Sequence, residues 1–331
     1  MVLPRGFRAS PGARAAPYAE EVPPVSTAPD SRFGAGLAFA GSAYVLWGLL
    51  PVYFVLLAPA GPLEIVPFRI LLALAFCAVL LTITRTWRAF LGLARQPRVL
   101  GIMAIAGALI YVNWQVYVYA TLNEHVVEAS LGYFINPLVT VALGVVFLRE
   151  RLRIAQWVAV GISGVAILVI AIGYGSFPWI ALALAFSFGL YGYIKKRVGA
   201  QVDAVSGLTL ETAILTPVAI VQLWFVAATT GIVTGTAGTA HVILMLLAGV
   251  VTATPLLLFA AGARRLPLVY VGLTQYLAPV LQFVIGVVAL REDMPLERWI
   301  GFGLVWVALI VLTADMLRAG RSARRASPEP I

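Results

Sequence analysis

Charge is scarce in this chain. Only 11% of its 331 residues are charged, 14 of them acidic and 23 basic, whereas a soluble domain carries about 25%. So little polar surface cannot cover the chain in water, which makes lipid its solvent. Cysteine is nearly absent. The single Cys77 excludes an internal disulfide and a cysteine-based metal cluster. The two histidines, His125 and His241, lie far apart and form no HExxH pair. No GxxxxGK[ST] loop is present, so the chain does not itself draw on ATP. Ser163 and His241 resemble a serine–histidine protease pair, but their expected depths in the bilayer differ too much for hydrogen bonding. No catalytic residue, metal or cofactor is expected. Residues 1–33 lack the apolar stretch of a signal peptide and, rich in Pro, Ala and Arg, are expected to be a disordered cytoplasmic tail.

Apolar residues fill the space that charge leaves. They make up 61% of the chain, and the mean hydropathy is +0.97. Runs long enough to cross a bilayer fall at 34–57, 64–84, 99–121, 126–148 and 154–173. A second set falls at 177–194, 206–228, 241–262, 266–290 and 297–317. The expected fold is all-α and integral to the membrane, with ten spans. A net charge of +9 could suggest nucleic acid, but the basic residues sit in clusters between apolar runs. With both termini in the cytoplasm, 20 of the 23 Lys and Arg fall on the inside, as the positive-inside rule requires.

The chain also repeats itself. Pro137, Glu150 and Trp157 reappear in the second half, in the same register, as Pro279, Glu292 and Trp299. Leu148-Arg149 reappears at the same offset as Leu290-Arg291. Five spans per half is an odd number, so the second half enters the membrane upside down. The halves are expected at 34–175 and 176–317, followed by a basic cytoplasmic tail at 318–331. Inverted-topology repeats of this kind belong to secondary transporters.

Pro137 and Pro279 fall near the middle of spans four and nine and free the carbonyls of Tyr133 and Gln275. Freed carbonyls in hydrocarbon need protein or water. The prolines therefore mark either helix breaks at a central site or a pair of packed kinks. Arg69 and Glu211 are repeat mates inside spans two and seven, where charge is costly. Depth matches Arg69 to Glu128, and Glu211 to Lys195, Arg264 and Arg265; Glu64 and Asp315 read as interfacial. Asn113, Tyr117 and Thr121 form a polar face on span three, which either lines a cavity or bonds to neighbouring helices.

The run Glu128-Ala-Ser-Leu-Gly-Tyr-Phe-Ile-Asn-Pro-Leu138 resembles the signature of RarD-type proteins in the EamA drug/metabolite transporter family. Asn113-Trp114, Glu211-Thr212, Thr254-Pro255-Leu256-Leu257 and Gln275-Tyr276 add to the resemblance, which spans residues 36–318. It implies ten helices in two inverted repeats, an inner-membrane location and export of small organic solutes. The expected substrate contacts are Tyr133, Asn136, Gln275 and Tyr276 near the prolines, together with Asn113 and Tyr117. Arg69 and Glu128 are expected to bind solute or gate, and Glu211 to trade a proton. The expected partners are a small-molecule solute, membrane lipid and a coupling proton, with a homodimer as an option and no nucleic acid. A non-transporting membrane sensor or scaffold is the competing reading.

Overall fold

The structure is a computed structural model that describes residues 31–148, 152–173, 177–196, 198, 201–266 and 268–326. The tail up to residue 30, the Arg149-Glu150-Arg151 run, Arg197 and the last five residues lie outside the described residues. No strand occurs among the described residues.

The helices are α1 (Ser31–Gly48), α2 (Leu50–Val55), α3 (Pro62–Ile83), α4 (Trp87–Ala94), α5 (Pro97–Leu122), α6 (Val126–Leu148) and α7 (Ile154–Gly173). After them come α8 (Trp179–Lys196), α9 (Ala204–Thr229), α10 (Thr239–Leu246), α11 (Ala248–Ala263), α12 (Leu268–Thr274), α13 (Leu277–Val284) and α14 (Leu296–Ala326). A π-helical turn at Ile285–Ala289 continues α13.

Local chemistry sets the starts. Pro62 and Pro97 occupy the first helical position of α3 and α5, where the missing N–H costs nothing. Asp203 caps α9, accepting from the N–H groups of Val205 and Ser206. Burial pushes its carboxyl up, but those hydrogen bonds outweigh burial and hold it below the ordinary value.

Nine stretches among the described residues are long and apolar enough to cross a membrane. They match nine of the ten expected runs. The tenth, α8, has 18 residues and ends on Lys195 and Lys196, which lower its mean apolarity. It nevertheless packs along both α5 and α6 inside the bundle. The expected loop at 85–98 contains α4, a short amphipathic helix. Its Phe90 is buried with Leu81, Val99, Met103 and Val198.

Helix starts recur at the spacing that separates Pro137 from Pro279. Pro62, Pro97, Val126 and Ile154 open helices in the first half, and their repeat mates Ala204, Thr239, Leu268 and Leu296 open helices in the second. The packing follows the same register. Helix α8 lies against α5 and α6, as α1 lies against α11 and α13; α3 pairs with its mate α9, and α7 with its mate α14. Gly107 and Gly249 are mates as well. A Cβ at Gly107 would meet Leu215 at 3.6 Å, whereas one at Gly249 would run into the Leu72 carbonyl. The approach of α11 to α3 therefore depends on glycine.

Two proline positions differ. Helix α6 runs through Pro137 without interruption, so no break occurs there. Proline removes one hydrogen bond, which a membrane helix packed among neighbours can bear, and Gly132 lets α6 close against Ala181 of α8. In the second half, the regular α-helix lapses into a turn at Gln275-Tyr276, one turn before Pro279, although Tyr276 keeps right-handed helical dihedrals.

Candidate functional site

Successive long helices alternate in direction, so their connections fall at two ends of the bundle. At one end lie Arg85, Arg95, Lys195, Arg264 and Arg265, the basic end. At the other lie Glu64, Glu128 and Glu292, the carboxylate end.

Arg69 lies two turns into α3 and is only 4% exposed. Its Nε donates to Thr252 Oγ1 of α11 at 2.7 Å. Its guanidinium stacks 4.3 Å from the Trp114 ring centre and 5.5 Å from that of Phe54. The hydroxyls of Tyr53, Tyr117 and Tyr133 lie within electrostatic reach. No carboxylate among the described residues pairs with it. Cation–π contact supplies up to about 2 kcal/mol, while burying an ion costs several. Arg69 is therefore undercompensated.

Orphaned polar atoms gather beside it. Arg69 Nη1, Tyr117 Oη and Gln282 Oε1 are buried without a well-formed hydrogen bond, and the Tyr117 and Gln282 side chains are neighbours. Gln282 Nε2 donates to the Trp47 carbonyl at 3.2 Å, which fixes the amide. Asn113 completes the cluster. It donates to Ser187 Oγ at 3.0 Å and to the Leu184 carbonyl, and accepts from the Tyr133 hydroxyl at 3.0 Å. The polar face of span three thus bonds to neighbouring helices on one side and fronts orphaned groups on the other.

An aromatic ladder leads away from Arg69. Phe54 meets Tyr117 at 6.0 Å between ring centres, Tyr117 meets Tyr133 at 5.6 Å, and Tyr133 meets Phe188 at 5.9 Å. Phe188 then meets Tyr191 at 5.9 Å. The Tyr191 hydroxyl donates to Glu211 Oε2 at 3.3 Å. Glu211, 2% exposed, lies 3.0 Å from Lys195 Nζ, which also donates to the Tyr191 hydroxyl. The ladder joins a buried cation toward the carboxylate end to an ion pair toward the basic end whose carboxylate is buried and whose lysine is partly exposed. Beside it, Tyr133, Asn136 and Thr140 form a partly exposed stripe at helical spacing on α6.

The carboxylate end is tied shut between the two halves of the chain. Glu64 accepts from the N–H groups of Val233 and Thr234 at 3.0 and 2.7 Å. Glu292 accepts from the N–H groups of Val126 and Val127, which open α6, at 2.5 and 2.9 Å. Glu128 accepts from Ile180 N–H at the start of α8 at 3.1 Å. Helix starts offer free N–H groups and a positive dipole, so carboxylates bind them well. Burial raises the Glu292 carboxyl above its ordinary value, partly offset by those two N–H groups, Arg298 and His125. At the basic end, a cleft of ≈ 1010 Å³ opens beside Arg32, Asp203, Arg264 and Arg265.

The structure redistributes several expected roles. Glu128 does not pair with Arg69, because its carboxylate is taken by the start of α8. Glu64 lies in the first turn of α3, near its span end, but it is 2% exposed and holds the 230–238 connection. Of the depth matches to Glu211, Lys195 makes the contact. Tyr276 faces Thr313 of α14 and its neighbour Gln275, away from the Arg69 cluster. The residue of α13 that reaches the cluster is Gln282, which the sequence reading missed. The available signal was a glutamine in an apolar run, two turns beyond Gln275. Tyr53 and Thr252 were also missed, since a lone Tyr or Thr in a span is ordinary. Ser163 bonds to the Ala159 carbonyl and His241 meets the Leu57 carbonyl, so the two are not partners.

A helical bundle with nine membrane-length apolar stretches and a polar, aromatic interior is a polytopic membrane protein. Residues 34–172 match the EamA-like transporter family. The "Protein RarD" of Streptomyces exfoliatus is 49% identical over 87% of this chain and 91% of its own length. An "Uncharacterized transporter" of Vibrio cholerae is 38% identical, covering 88% and 96%. A solved structure described only as "Crystal structure of protein" aligns with a TM-score of 0.55 at 22% identity, over 85% of this chain and 98% of that one. The chain belongs to the EamA-like transporter family and, within it, to the RarD-type members.

Proposed function

We propose that this protein is a secondary transporter that exports a small organic solute across the inner membrane by alternating access. The observation that carries this reading is the aromatic ladder from Arg69 to the Glu211–Lys195 pair. A continuous chain of aromatic contacts with a buried cation at one end and a carboxylate at the other suits stepwise solute passage. The helix starts recurring at one offset, with packing in the same register, support two inverted five-helix repeats, 34–175 and 176–317, in a ten-span protein. The basic clusters support cytoplasmic termini. In that orientation the carboxylate end faces outward and is latched, and the cleft faces the cytoplasm. This is the loading state of an exporter.

Glu211 is the coupling carboxylate. It is buried, it holds Lys195 in this state, and a proton arriving on it would release that lysine. The test is transport in sealed liposomes under a proton gradient, with Glu211→Gln beside the wild type. Solute flux that follows the gradient in the wild type and persists uncoupled in the variant is the expected result. Equal gradient dependence in both would move the coupling site away from Glu211. Saturable binding without flux in either would favour the sensor.

A further inference from the structure

From the undercompensated Arg69 and the orphaned atoms beside it, we infer that the transported solute is an organic monoanion whose carboxylate supplies the counter-charge that this buried cation lacks. The inference deepens the transporter reading and rests on it. Three observations converge. Arg69 is buried, has no carboxylate partner among the described residues, and keeps Nη1 without a hydrogen bond. The buried Tyr117 hydroxyl lies on the same patch within reach of the Gln282 amide, and by turning toward a ligand it would offer a second donor. A carboxylate has two oxygens and one charge, so a guanidinium N–H and a hydroxyl would satisfy it. A phosphate would bring more charge than one guanidinium neutralises.

The surroundings define the rest of the solute. Gln282 has its amide nitrogen held by the Trp47 carbonyl, so its Oε1 is fixed beside Tyr117 and loses its nearest donor when that hydroxyl turns to a bound carboxylate. It calls for a hydrogen-bond donor on the solute body. Trp114, Phe54, Tyr117 and Tyr133 present ring faces and edges around the cation, which suits a flat apolar body. A neutral solute would leave the charge of Arg69 uncompensated, and a cationic one would add to it.

The binding test uses the purified full-length protein and a matched triad: phenylacetate, phenylacetamide and phenethylamine. Each is titrated against the thermal unfolding midpoint, with acetate and chloride as small-anion controls. Phenylacetate is expected to raise the midpoint with an apparent affinity at least about tenfold above that of the amide. The amine is expected to do nothing. Arg69→Gln should abolish the acid-over-amide preference, and Arg69→Lys should keep part of it. Because the triad is compared within the wild type, the test survives a variant that fails to fold. Equal stabilisation by the amide, equal stabilisation by chloride, or no stabilisation by any carboxylate would overturn the inference. In sealed liposomes, flux of the amide without flux of the acid overturns the anion class and leaves the transporter standing. Acid-specific stabilisation without flux of any solute upholds the anion site and removes the transport reading.

Discussion

Arg69 and Glu211 are separated by the repeat spacing and are almost equally buried, at 4% and 2% exposure. Their surroundings treat them in opposite ways. Glu211 has a lysine 3.0 Å away and a tyrosine hydroxyl on its second oxygen. Arg69 has aromatic faces and one threonine, and no carboxylate among the described residues. The repeat that places Lys195 near Glu211 places Tyr53 near Arg69, since Tyr53 and Lys195 are repeat mates too. Two positions at the same offset thus carry a neutralised pair in one half and an open cation in the other. A charge already neutralised inside the protein suits an ion that comes and goes, whereas an open cation suits a ligand that brings its own charge.

The largest expected effect comes from breaking the neutralised side. Lys195→Met strands a carboxylate that is 2% exposed, while the lysine itself is 29% exposed. Removing one partner of a buried pair costs about 3–5 kcal/mol, and the partial exposure of Lys195 puts the expectation near about 3. Adding Glu211→Gln in the same chain should restore stability to within about 1 kcal/mol of the wild type. Thermal unfolding of the three purified proteins decides it. If the single variant is no less stable than the double, Glu211 is not held by Lys195.

A smaller effect separates another pair of mates. A methyl group on Gly249 meets the Leu72 carbonyl and the Ala73 nitrogen, whereas one on Gly107 has ordinary room. Gly249→Ala should cost about 1–3 kcal/mol through forced separation of α11 from α3. Gly107→Ala should be neutral or slightly stabilising, since alanine favours helix. Because α11 carries Thr252, the Gly249 variant should also loosen the hold on Arg69. Equal midpoints for the two variants would show that the halves pack alike at this crossing.

What could be read from sequence divides along physical lines. Span positions follow from runs of apolar residues, a local property that lipid enforces, and they match the helices closely. The spacing between Pro137 and Pro279 was legible in sequence, and four helix starts recur at the same offset. Glu211 and Arg69 stood out because charge in hydrocarbon is rare. Partners were less legible, since they depend on which helix faces which. Depth alone offered Arg69 to Glu128, yet Glu128 is used by the first N–H groups of α8, a bond invisible without knowing where that helix begins. Gln282 and Thr252 were overlooked for the same reason: neutral side chains become informative only once packing shows what they face, here an oxygen without a well-formed bond at Gln282 and the Arg69 guanidinium at Thr252.

The finest difference between the two ends lies in their response to acid. At the carboxylate end, Glu292 accepts from Val126 and Val127, with His125 and Arg298 nearby, and burial raises its carboxyl above the ordinary value of 4.5. Opening the latch would return the group to water and to that ordinary value. The latched state therefore binds the proton more tightly. Acid favours latching, and the advantage is lost as the pH rises through the latched-state value. Protonation leaves a carbonyl oxygen to accept from the helix start, so the tie itself survives. A cysteine at Ala129, fully buried one turn below the latch, reports opening when Cys77 is replaced by alanine. Its labelling by an impermeant thiol reagent is compared with the same reporter in Glu292→Gln, so that the pH dependence of the thiol cancels. The ratio should fall on going from neutral to mildly acidic pH. A ratio that stays flat would mean that Glu292 does not sense protons. A rise on acidification would mean that the ionised carboxylate holds this end closed.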